Sequence, residues 1–396
     1  MKKIIIIYEG AGDEPLPELE GRTPLQAARC HHAAALVAAG RGGALEPWPS
    51  DTPWRSEWLL GAMSGIPASE IGGLHRGPLE ALAVGVEPRE GDMVYRGDFV
   101  TMDGAAVRDN LAGRLGDEET AELAAVVHSA SGEDCDVTSM GAGSVAVRFR
   151  DASERDARGL PTCVQAGENV GDAVAGGAVS ERMRALMREA GEVLSAQPVN
   201  DVRVDLGENP ANGLWLWGGG AWPEIASARP EGDRARGAML STSLLGKGIA
   251  ARCGFDVLEW PEPWRDEAEP IRLHVPDLVR VLREHQRIIV YIQAPADGGR
   301  FGSAVEKVRA LDRIDQEFLG PLVTILEAYR PFRLGLIAGG VVSSRTGWAL
   351  PQPAPVALVG DDLASDRVDR WDEETCASGG LGSMNAGDFL RRIEDR

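Results

Sequence analysis

The sequence predicts an α/β protein with a mostly parallel sheet sandwiched by helices, into which a smaller α+β domain is inserted. Short β-branched runs end in Gly, Asp or Ser and precede helical patterns, which is typical of parallel strands joined by crossover helices. A middle stretch of alternating segments resembles an antiparallel module instead. We therefore predict a discontinuous core of residues 1–94 and 208–396, and an inserted cap domain of residues 95–207.

Four segments carry the parallel-strand pattern. They read KIIIIYEGAGD at the N-terminus, GAMLSTSLLGKGIAARCG from Gly237, RIIVYIQAPADGG from Arg287 and FRLGLIAGGVVSS from Phe332. The third is predicted to run from a buried strand into a glycine-rich turn over residues 293–300, and ligands collect at such turns in open α/β sheets. In the insert, SVAVRFRD from Ser144 predicts a strand, and SERMRALMREAGEVLS from Ser180 predicts a polar helix.

The segment EPWPSDTPWRSEWLLGAMSGIP, from Glu46, predicts a proline-rich loop followed by a short helix that begins near Pro53. Ser50, Asp51 and Thr52 then stand at the N-cap of this helix, where side-chain oxygens satisfy exposed backbone N–H groups. A hydroxyl in this place can also act as a nucleophile or phosphate carrier, because the helix N-terminus stabilises an anion. The sequence leaves both interpretations open.

Composition excludes several classes of function. The net charge of −20 disfavours binding to nucleic acid or to an anionic membrane surface, which needs clustered Lys and Arg. No apolar run approaches the roughly 18 residues of a membrane helix. The five cysteines are scattered without a CxxC spacing, which argues against disulfides and a thiolate zinc site. We therefore expect a reduced, cytoplasmic protein.

Several motifs lie in the order found in one enzyme family. They include HRGPLEALAVGVEPREGDMVYRGDFVTMDG at 75–104, ENPANGLWLWGGG at 208–220 and VRALDRIDQEFLGPL at 308–322. With these motifs the chain resembles the archaeal-type, cofactor-independent phosphoglycerate mutases of the alkaline phosphatase superfamily. The resemblance implies a phosphatase-like core with a cap domain, and interconversion of 2- and 3-phosphoglycerate through a phosphorylated Ser or Thr. It also implies two divalent ions such as Mn, Zn or Co, held by Asp and His.

The resemblance places few of these metal ligands in this chain. Glu9 stands where the family has its first Asp, and Thr52 stands at the nucleophile. The remaining ligand positions carry residues that do not bind divalent metals, namely Ala296, Arg300, Gly339, Gly340, Gly347 and Arg114. Asp297 lies one residue beyond an expected ligand and is either a weak ligand candidate or a turn residue. The resemblance thus implies a two-metal site that has lost most of its ligands.

Substrate-binding positions match the family better. Guanidinium and ammonium groups bind phosphate and carboxylate, so the matching residues are candidates for substrate binding. These residues are Arg76, Arg96, Asp109, Lys247 and Arg345. Arg114 and Arg300 replace expected ligands, and we expect their charges to neutralise the same bound anion in the absence of metals.

Three functions follow from the resemblance. We favour a metal-free, catalytically impaired relative that binds a phosphorylated small acid such as phosphoglycerate, or serves as a scaffold or regulatory protein. The first alternative is an active mutase with a phospho-Thr intermediate and relocated ligands. These relocated ligands are drawn from Glu9, Asp13, Asp51, Thr52 and Asp297, with His31 or His75. The second alternative is another phosphotransferase or phosphatase using Thr52. The oligomeric state, including a homo-oligomer, stays open.

Overall fold

The computed structural model describes residues 1–86, 89–150, 157–159, 179–221, 237–259, 275–300 and 303–394. The chain divides into two compact units. The first comprises Met1–Gly72 and Ala228–Arg396, and the second comprises Gly73–Ser227. Among the described residues, no helix combines the length and apolar character that crossing a membrane requires.

The strands are numbered in chain order. They are β1 (Lys2–Tyr8), β2 (Arg41–Leu45), β3 (Met93–Asp103), β4 (Ala106–Asp109), β5 (Cys135–Gly141), β6 (Ser144–Phe149), β7 (Gly213–Ala221), β8 (Ala238–Leu240), β9 (Asp256–Leu258), β10 (Arg287–Ile292), β11 (Phe332–Ile337), β12 (Val341–Val342), β13 (Ala349–Leu350), β14 (Ala354–Gly360) and β15 (Gly382–Met384).

The α-helices are numbered in the same way. They are α1 (Pro24–Ala27), α2 (His31–Ala38), α3 (Ser56–Met63), α4 (Ala68–Ile71), α5 (Arg76–Ala83), α6 (Asp117–Ala130), α7 (Glu181–Leu194), α8 (Pro198–Asp205), α9 (Leu244–Cys253), α10 (Val275–Glu284), α11 (Ala294–Arg300), α12 (Ala304–Arg313), α13 (Gly320–Leu326), α14 (Glu373–Ala377) and α15 (Ala386–Glu394). A π-helical segment, Ile314–Leu319, joins α12 to α13, and short 3₁₀ turns cover Pro17–Leu19 and Glu327–Tyr329.

The first unit is built on an eight-stranded sheet with the order β15-β2-β14-β11-β1-β10-β8-β9. Strand β1 lies in its centre, parallel to β10 on one side and to β11 on the other. Only β14 pairs antiparallel to its neighbours in this sheet. Ile4, Ile5, Ile6 and Ile7 are fully buried, as a strand covered by helices on both faces requires. The predicted α/β class with a mostly parallel sheet is therefore confirmed.

The second unit contains an antiparallel sheet in which the long strand β3 pairs with β4, β6 and β7, and β5 pairs with β6. Helices α6 and α7 cover one face of this sheet and contribute to its core. Core members include Phe99, Leu123, Val147, Met183 and Leu216, all 4% exposed or less.

The second unit extends beyond the predicted insert of residues 95–207 at both ends. The physical reason at its start is the packing of α5. Helix α5 approaches β3 so closely that a Cβ on Gly77 would lie 2.6 Å from the carbonyl oxygen of Val94. At its end, β7 completes the sheet beside β3. The alternating sequence pattern set the predicted start of the insert at residue 95, which lies inside β3. Packing instead groups α5 and β7 with the antiparallel sheet.

Two local predictions were wrong. The segment after β10 is not a glycine-rich turn, since it forms helix α11 from Ala294. Glycine is needed at positions 298 and 299 of this helix, because a Cβ at either position would lie 2.9 Å from a neighbouring atom. The helix expected near Pro53 begins at Ser56, with Arg55 at its N-cap, so the residues at 50–52 do not cap it.

Candidate functional site

Glu9 directly follows β1, at the carboxyl ends of the parallel strands, where α/β proteins usually bind their ligands. We call this end of the sheet the sheet edge. Its side chain is 3% exposed. One carboxylate oxygen accepts a hydrogen bond from the Ser56 hydroxyl, and the other accepts one from the Tyr291 hydroxyl. The two hydroxyls come from the first residue of α3 and from β10. The carboxylate that the sequence offered as a metal ligand therefore binds two hydroxyl donors.

Ser56 is a residue that sequence reasoning missed. It opens α3, is half-buried, and points its hydroxyl at the Glu9 carboxylate. Thr52, the predicted nucleophile, lies in the loop before the helix, and its hydroxyl donates to the carbonyl oxygen of Pro49 at 2.5 Å. The signal for Ser56 was its place just before the apolar run WLLGAM, the usual start of a buried helix.

The positions that lack expected ligands are packed against neighbouring groups. Ala296 is fully buried in α11. Gly339 has a φ of +67°, and a Cβ on it would lie 2.6 Å from the carbonyl oxygen of Tyr8 and 2.7 Å from the Cα of Glu9. Gly340 has a φ of +108°, and its Cβ would lie 2.8 Å from Cγ of the Trp54 indole. Ligand side chains at these two glycines would require the backbone corner that they form after β11 to move.

The edge holds a buried lysine as well. Lys307 of α12 is fully buried, and its ammonium group donates to the Asp13 carboxylate at 2.9 Å, to Gly12 O at 2.8 Å and to Val342 O at 2.7 Å. Burial lowers the pKa of Lys307, against the charge of Asp13, which raises it. The sequence signal was a lysine on the apolar stripe of a helix, with Ala304, Ala310 and Leu311.

Asp13, offered by the sequence as a relocated ligand, is committed to this lysine and to Ser344. The Ser344 hydroxyl donates to it at 2.6 Å, and the Ser344 backbone N–H donates at 3.1 Å. Glu373 lies beside it and accepts from the Asp13 backbone N–H at 3.0 Å and from the Thr23 hydroxyl at 2.7 Å. Burial raises the pKa of Glu373 above its ordinary value, more than these hydrogen bonds lower it.

The other relocated-ligand candidates do not complete a metal site with Glu9. Asp51 is exposed, His31 is an exposed residue at the start of α2, and His75 precedes α5 in the second unit. Asp297 is half-buried in the first turn of α11, where its backbone N–H donates to Gln293 O at 3.2 Å. Across the described ranges, no group of three or more His, Cys, Asp and Glu side chains is arranged to hold a metal ion. The described residues therefore do not fit a two-metal centre.

Two of the predicted cations of the first unit, Lys247 and Arg345, donate to carboxylates. Lys247 of α9 donates to Glu259 at 2.6 Å. Arg345, 66% exposed, donates to Glu14 at 2.6 Å. Gly347 lies in the same turn with a φ of +75°. The side chain of Arg300 lies outside the part of the chain that the structure describes.

The second unit brings the predicted residues Arg76 and Arg96 together around Glu80. Arg76 donates to Glu80 at 2.7 Å, and Arg96 donates to the other Glu80 oxygen at 2.5 Å. Arg96 also donates to Asp98 at 2.9 Å. Both guanidinium groups lie near the Trp217 ring, with centroid distances of 5.6 and 5.5 Å, and the Trp217 N–H donates to Asp98 at 2.6 Å.

This cluster is electrically balanced, since two carboxylates face two guanidinium groups. Burial alone would raise the pKa of Glu80, but the charges of Arg96 and Arg76 outweigh it and lower the pKa below 4.5. The pKa of Asp98 is likewise lowered, because Arg96, Trp217 and Ser144 outweigh its burial. Asp98 and Glu80 raise the pKa of Arg96 despite its burial. Glu80 and Asp98 were not predicted, although Arg76 and Glu80 have the i, i+4 spacing of a helical ion pair.

Asp109 organises the loop that follows β4 in the second unit. Its carboxylate accepts hydrogen bonds from the backbone N–H groups of Leu111 at 2.9 Å and Gly113 at 2.8 Å, and from the Asn209 side chain at 2.8 Å. These bonds lower the pKa of Asp109, although burial opposes them. Arg114 ends the loop as an exposed residue with a φ of +63°. The structure gives Asp109 the contacts of a loop-ordering residue.

Comparisons with known proteins assign this chain to a family. Residues 38–200 match the family described as 2,3-bisphosphoglycerate-independent phosphoglycerate mutase. A protein of Methanothermobacter thermautotrophicus, named 2,3-bisphosphoglycerate-independent phosphoglycerate mutase 2, is 31% identical over 100% of this chain and 98% of its own length. The chain belongs to the 2,3-bisphosphoglycerate-independent phosphoglycerate mutase family.

Solved structures agree with the family assignment. The cofactor-independent phosphoglycerate mutase of Thermoplasma acidophilum is 26% identical, with a TM-score of 0.56 over 100% of this chain and 99% of that chain. The PH0037 protein of Pyrococcus horikoshii has the same fold, with a TM-score of 0.74 at 21% identity over 100% of this chain and 97% of that chain. The resemblance predicted from ordered sequence motifs is therefore confirmed at the level of the family.

Proposed function

We propose that this chain is a family member that does not perform two-metal phosphoryl transfer, and that it binds a phosphorylated small acid such as phosphoglycerate. If the protein binds no such acid, we propose that it serves as a scaffold or regulatory protein. The observation that carries the proposal is the packed sheet edge. Gly339 and Gly340 leave no room for ligand side chains, and the Glu9 and Asp13 carboxylates bind hydroxyl and ammonium donors. The proposal thus departs from the activity named for the relatives.

The cations proposed to bind the acid differ in how readily they can exchange a partner. Arg345 is exposed and pairs with a partly buried Glu14. Pairs that solvent reaches contribute only about 0–1 kcal/mol, so a phosphate can replace the carboxylate. Lys247 is more buried than Arg345 but faces an exposed Glu259. Arg76 and Arg96 are held in a buried network, where exchange costs more. We therefore assign the first contact with an anion to Arg345 and Lys247.

The free cysteines among the described residues are in keeping with a cytoplasmic location.

Purified protein is expected to contain no stoichiometric Mn, Zn or Co and to show no turnover of 3-phosphoglycerate when these ions are added. Elemental analysis and a coupled mutase assay measure both quantities. At a 100-fold excess over its Kd, 3-phosphoglycerate should stabilise the protein by about 2.7 kcal/mol. Arg345→Ala and Lys247→Ala should weaken this stabilisation, whereas Arg367→Ala, which removes an exposed arginine with a positive φ, should not. Stoichiometric metal together with turnover would contradict the proposal.

The second candidate function is mutase activity through a phosphorylated serine, which the names of the relatives favour. A specific observation supports Ser56 as the acceptor, because its hydroxyl contacts the Glu9 carboxylate. Its oxygen would bond to phosphorus as the substrate C–O–P bridge breaks at phosphorus. The hydroxyl proton would pass to the Glu9 carboxylate, which would then give it to the released alkoxide oxygen of the glycerate. Transfer of the phosphoryl group to the other glycerate hydroxyl would then restore Ser56.

Two hydroxyl variants separate this candidate from the Thr52 hypothesis. If turnover is present, Ser56→Ala should lower kcat by at least about 10³-fold, because a lost nucleophile removes the covalent step. Thr52→Ala should keep activity, since the Thr52 hydroxyl donates to Pro49 O. The coupled assay and intact mass after incubation with substrate provide the readouts. The reverse pattern would restore Thr52 as the nucleophile and exclude Ser56.

A further inference from the structure

Lys307 places its ammonium group inside the sheet edge where the family resemblance expects metal ligands. The side chain is fully buried, and its ammonium group has three oxygen partners within 2.9 Å. One partner is the Asp13 carboxylate, and two are backbone carbonyls, of Gly12 in the loop after β1 and of Val342 in β12. An ammonium group has three N–H donors, so these partners satisfy it completely.

The elements around Lys307 are shaped to bring this charge in. Ser303 caps the N-terminus of α12 by accepting from the Glu306 backbone N–H at 3.2 Å, which fixes the start of the helix that carries Lys307. Gly298 allows α11 to pack on the same helix, because a Cβ there would lie 2.9 Å from the Cα of Lys307. Asp13 in turn accepts from Ser344, so that the cation, the carboxylate and the loop after β12 form one connected group.

We propose that Lys307 is the resident cation of this edge: its ammonium group binds the oxygen atoms of Gly12, Asp13 and Val342 as a bound metal ion would, and makes the folding of the edge independent of divalent metals. The charge balance agrees with this role. Asp13 is 3% exposed, and a buried carboxylate without a cation is strongly destabilising. Burial lowers the pKa of Lys307, and the acidic groups of Asp13 and Glu373 oppose that lowering. This inference concerns how the edge stays folded and does not depend on the proposed function.

Chemical rescue tests the proposal directly. Lys307→Ala removes the ammonium group and leaves space lined by the same three oxygen atoms. We expect the unfolding temperature of the full-length variant to fall by on the order of 10 °C, and ethylammonium present during refolding to restore a large part of the loss. Tetramethylammonium, which has no N–H donor, and KCl at equal ionic strength should not. Lys247→Ala, which removes a partly exposed lysine, is the matched control and should show no rescue.

Two further measurements keep the proposal open to refutation if Lys307→Ala does not fold. The double variant Asp13→Asn with Lys307→Met should be more stable than Lys307→Met alone, because it also removes the stranded charge. EDTA or added Mn²⁺ should leave the unfolding temperature of the unmodified protein unchanged. The proposal is overturned if Lys307→Ala unfolds at the original temperature, if ethylammonium gives no rescue in a folded variant, if the double variant gains nothing, or if EDTA lowers the unfolding temperature by several degrees. Each of these results differs from mutase turnover, which would refute the proposed function alone.

Discussion

Gly339→Ala is expected to lower the free energy of unfolding by about 3 kcal/mol. The residue has a φ of +67°, and left-handed backbone costs a residue with a Cβ about 1–2 kcal/mol. The added methyl group would also lie 2.6 Å from Tyr8 O and 2.7 Å from the Cα of Glu9, and overpacking costs about 1–3 kcal/mol more. These neighbours are backbone atoms of the central strand and its loop, so relief requires the sheet edge to shift. Urea unfolding followed by circular dichroism measures the change.

Gly382→Ala provides a matched control for this variant. Gly382 has a φ of +69°, but a Cβ at this position has no atom within 4 Å. It should therefore lose only the backbone contribution of about 1–2 kcal/mol. The excess loss in Gly339→Ala measures the steric exclusion at the corner. Equal losses in the two variants would mean that the corner can take a side chain, and that a ligand at position 339 is sterically allowed.

Arg96→Met is expected to destabilise the second unit by about 3 kcal/mol, because it removes the cation between two buried carboxylates. Glu80 is 1% exposed and would keep only Arg76 as an ionic partner among its described contacts. Asp98 would keep hydrogen bonds from Ser144 and Trp217. Near-ultraviolet circular dichroism, which is sensitive to the packing of Trp217, follows the unfolding of this unit. Arg108→Met, an exposed arginine of β4, should change the stability by no more than about 0.5 kcal/mol.

The same variant should change the response to acid. Glu80 and Asp98 have lowered pKa values in the folded protein, so they stabilise it above their unfolded pKa values of 4.5 and 3.8. This stabilisation is lost as the pH falls through the lower folded values. Unfolding of the original protein should therefore become easier as the pH falls from 5 to 2, and the dependence should be weaker in Arg96→Met. An unchanged dependence would show that Arg96 does not set these pKa values.

Sequence patterns predicted the parallel core well because they record burial directly. Strand β1 carries four consecutive isoleucines that are fully buried, and β10 and β11 pair with it in parallel. The ordered motifs likewise predicted the family. These signals are local in the chain, and each residue of the pattern contributes its own hydrophobicity.

The site could be predicted only in part, since its contacts join residues that are distant in sequence. Glu9 was identified at the end of β1, but its partners Ser56 and Tyr291 lie 47 and 282 residues away. Matching to the family placed the nucleophile at Thr52, which stays a prediction, whereas the hydroxyl that contacts Glu9 in the structure belongs to Ser56. Glycines in the segment after β10 indicated a turn, whereas they lie inside helix α11, where Gly298 packs against α12 and Gly299 packs against Val342 of β12. Neither the contact of Ser56 with Glu9 nor the helix after β10 could be found without the tertiary contacts.

The indole of Trp54 over Gly340 makes the two residues depend on each other. A His or Asp introduced at position 340 would collide with that ring, and removal of the ring alone would leave an unfilled space against Gly340. Either single change therefore costs stability, and a side chain at position 340 becomes tolerable only together with a smaller residue at position 54. The two positions are coupled, so their substitutions are expected to be strongly non-additive.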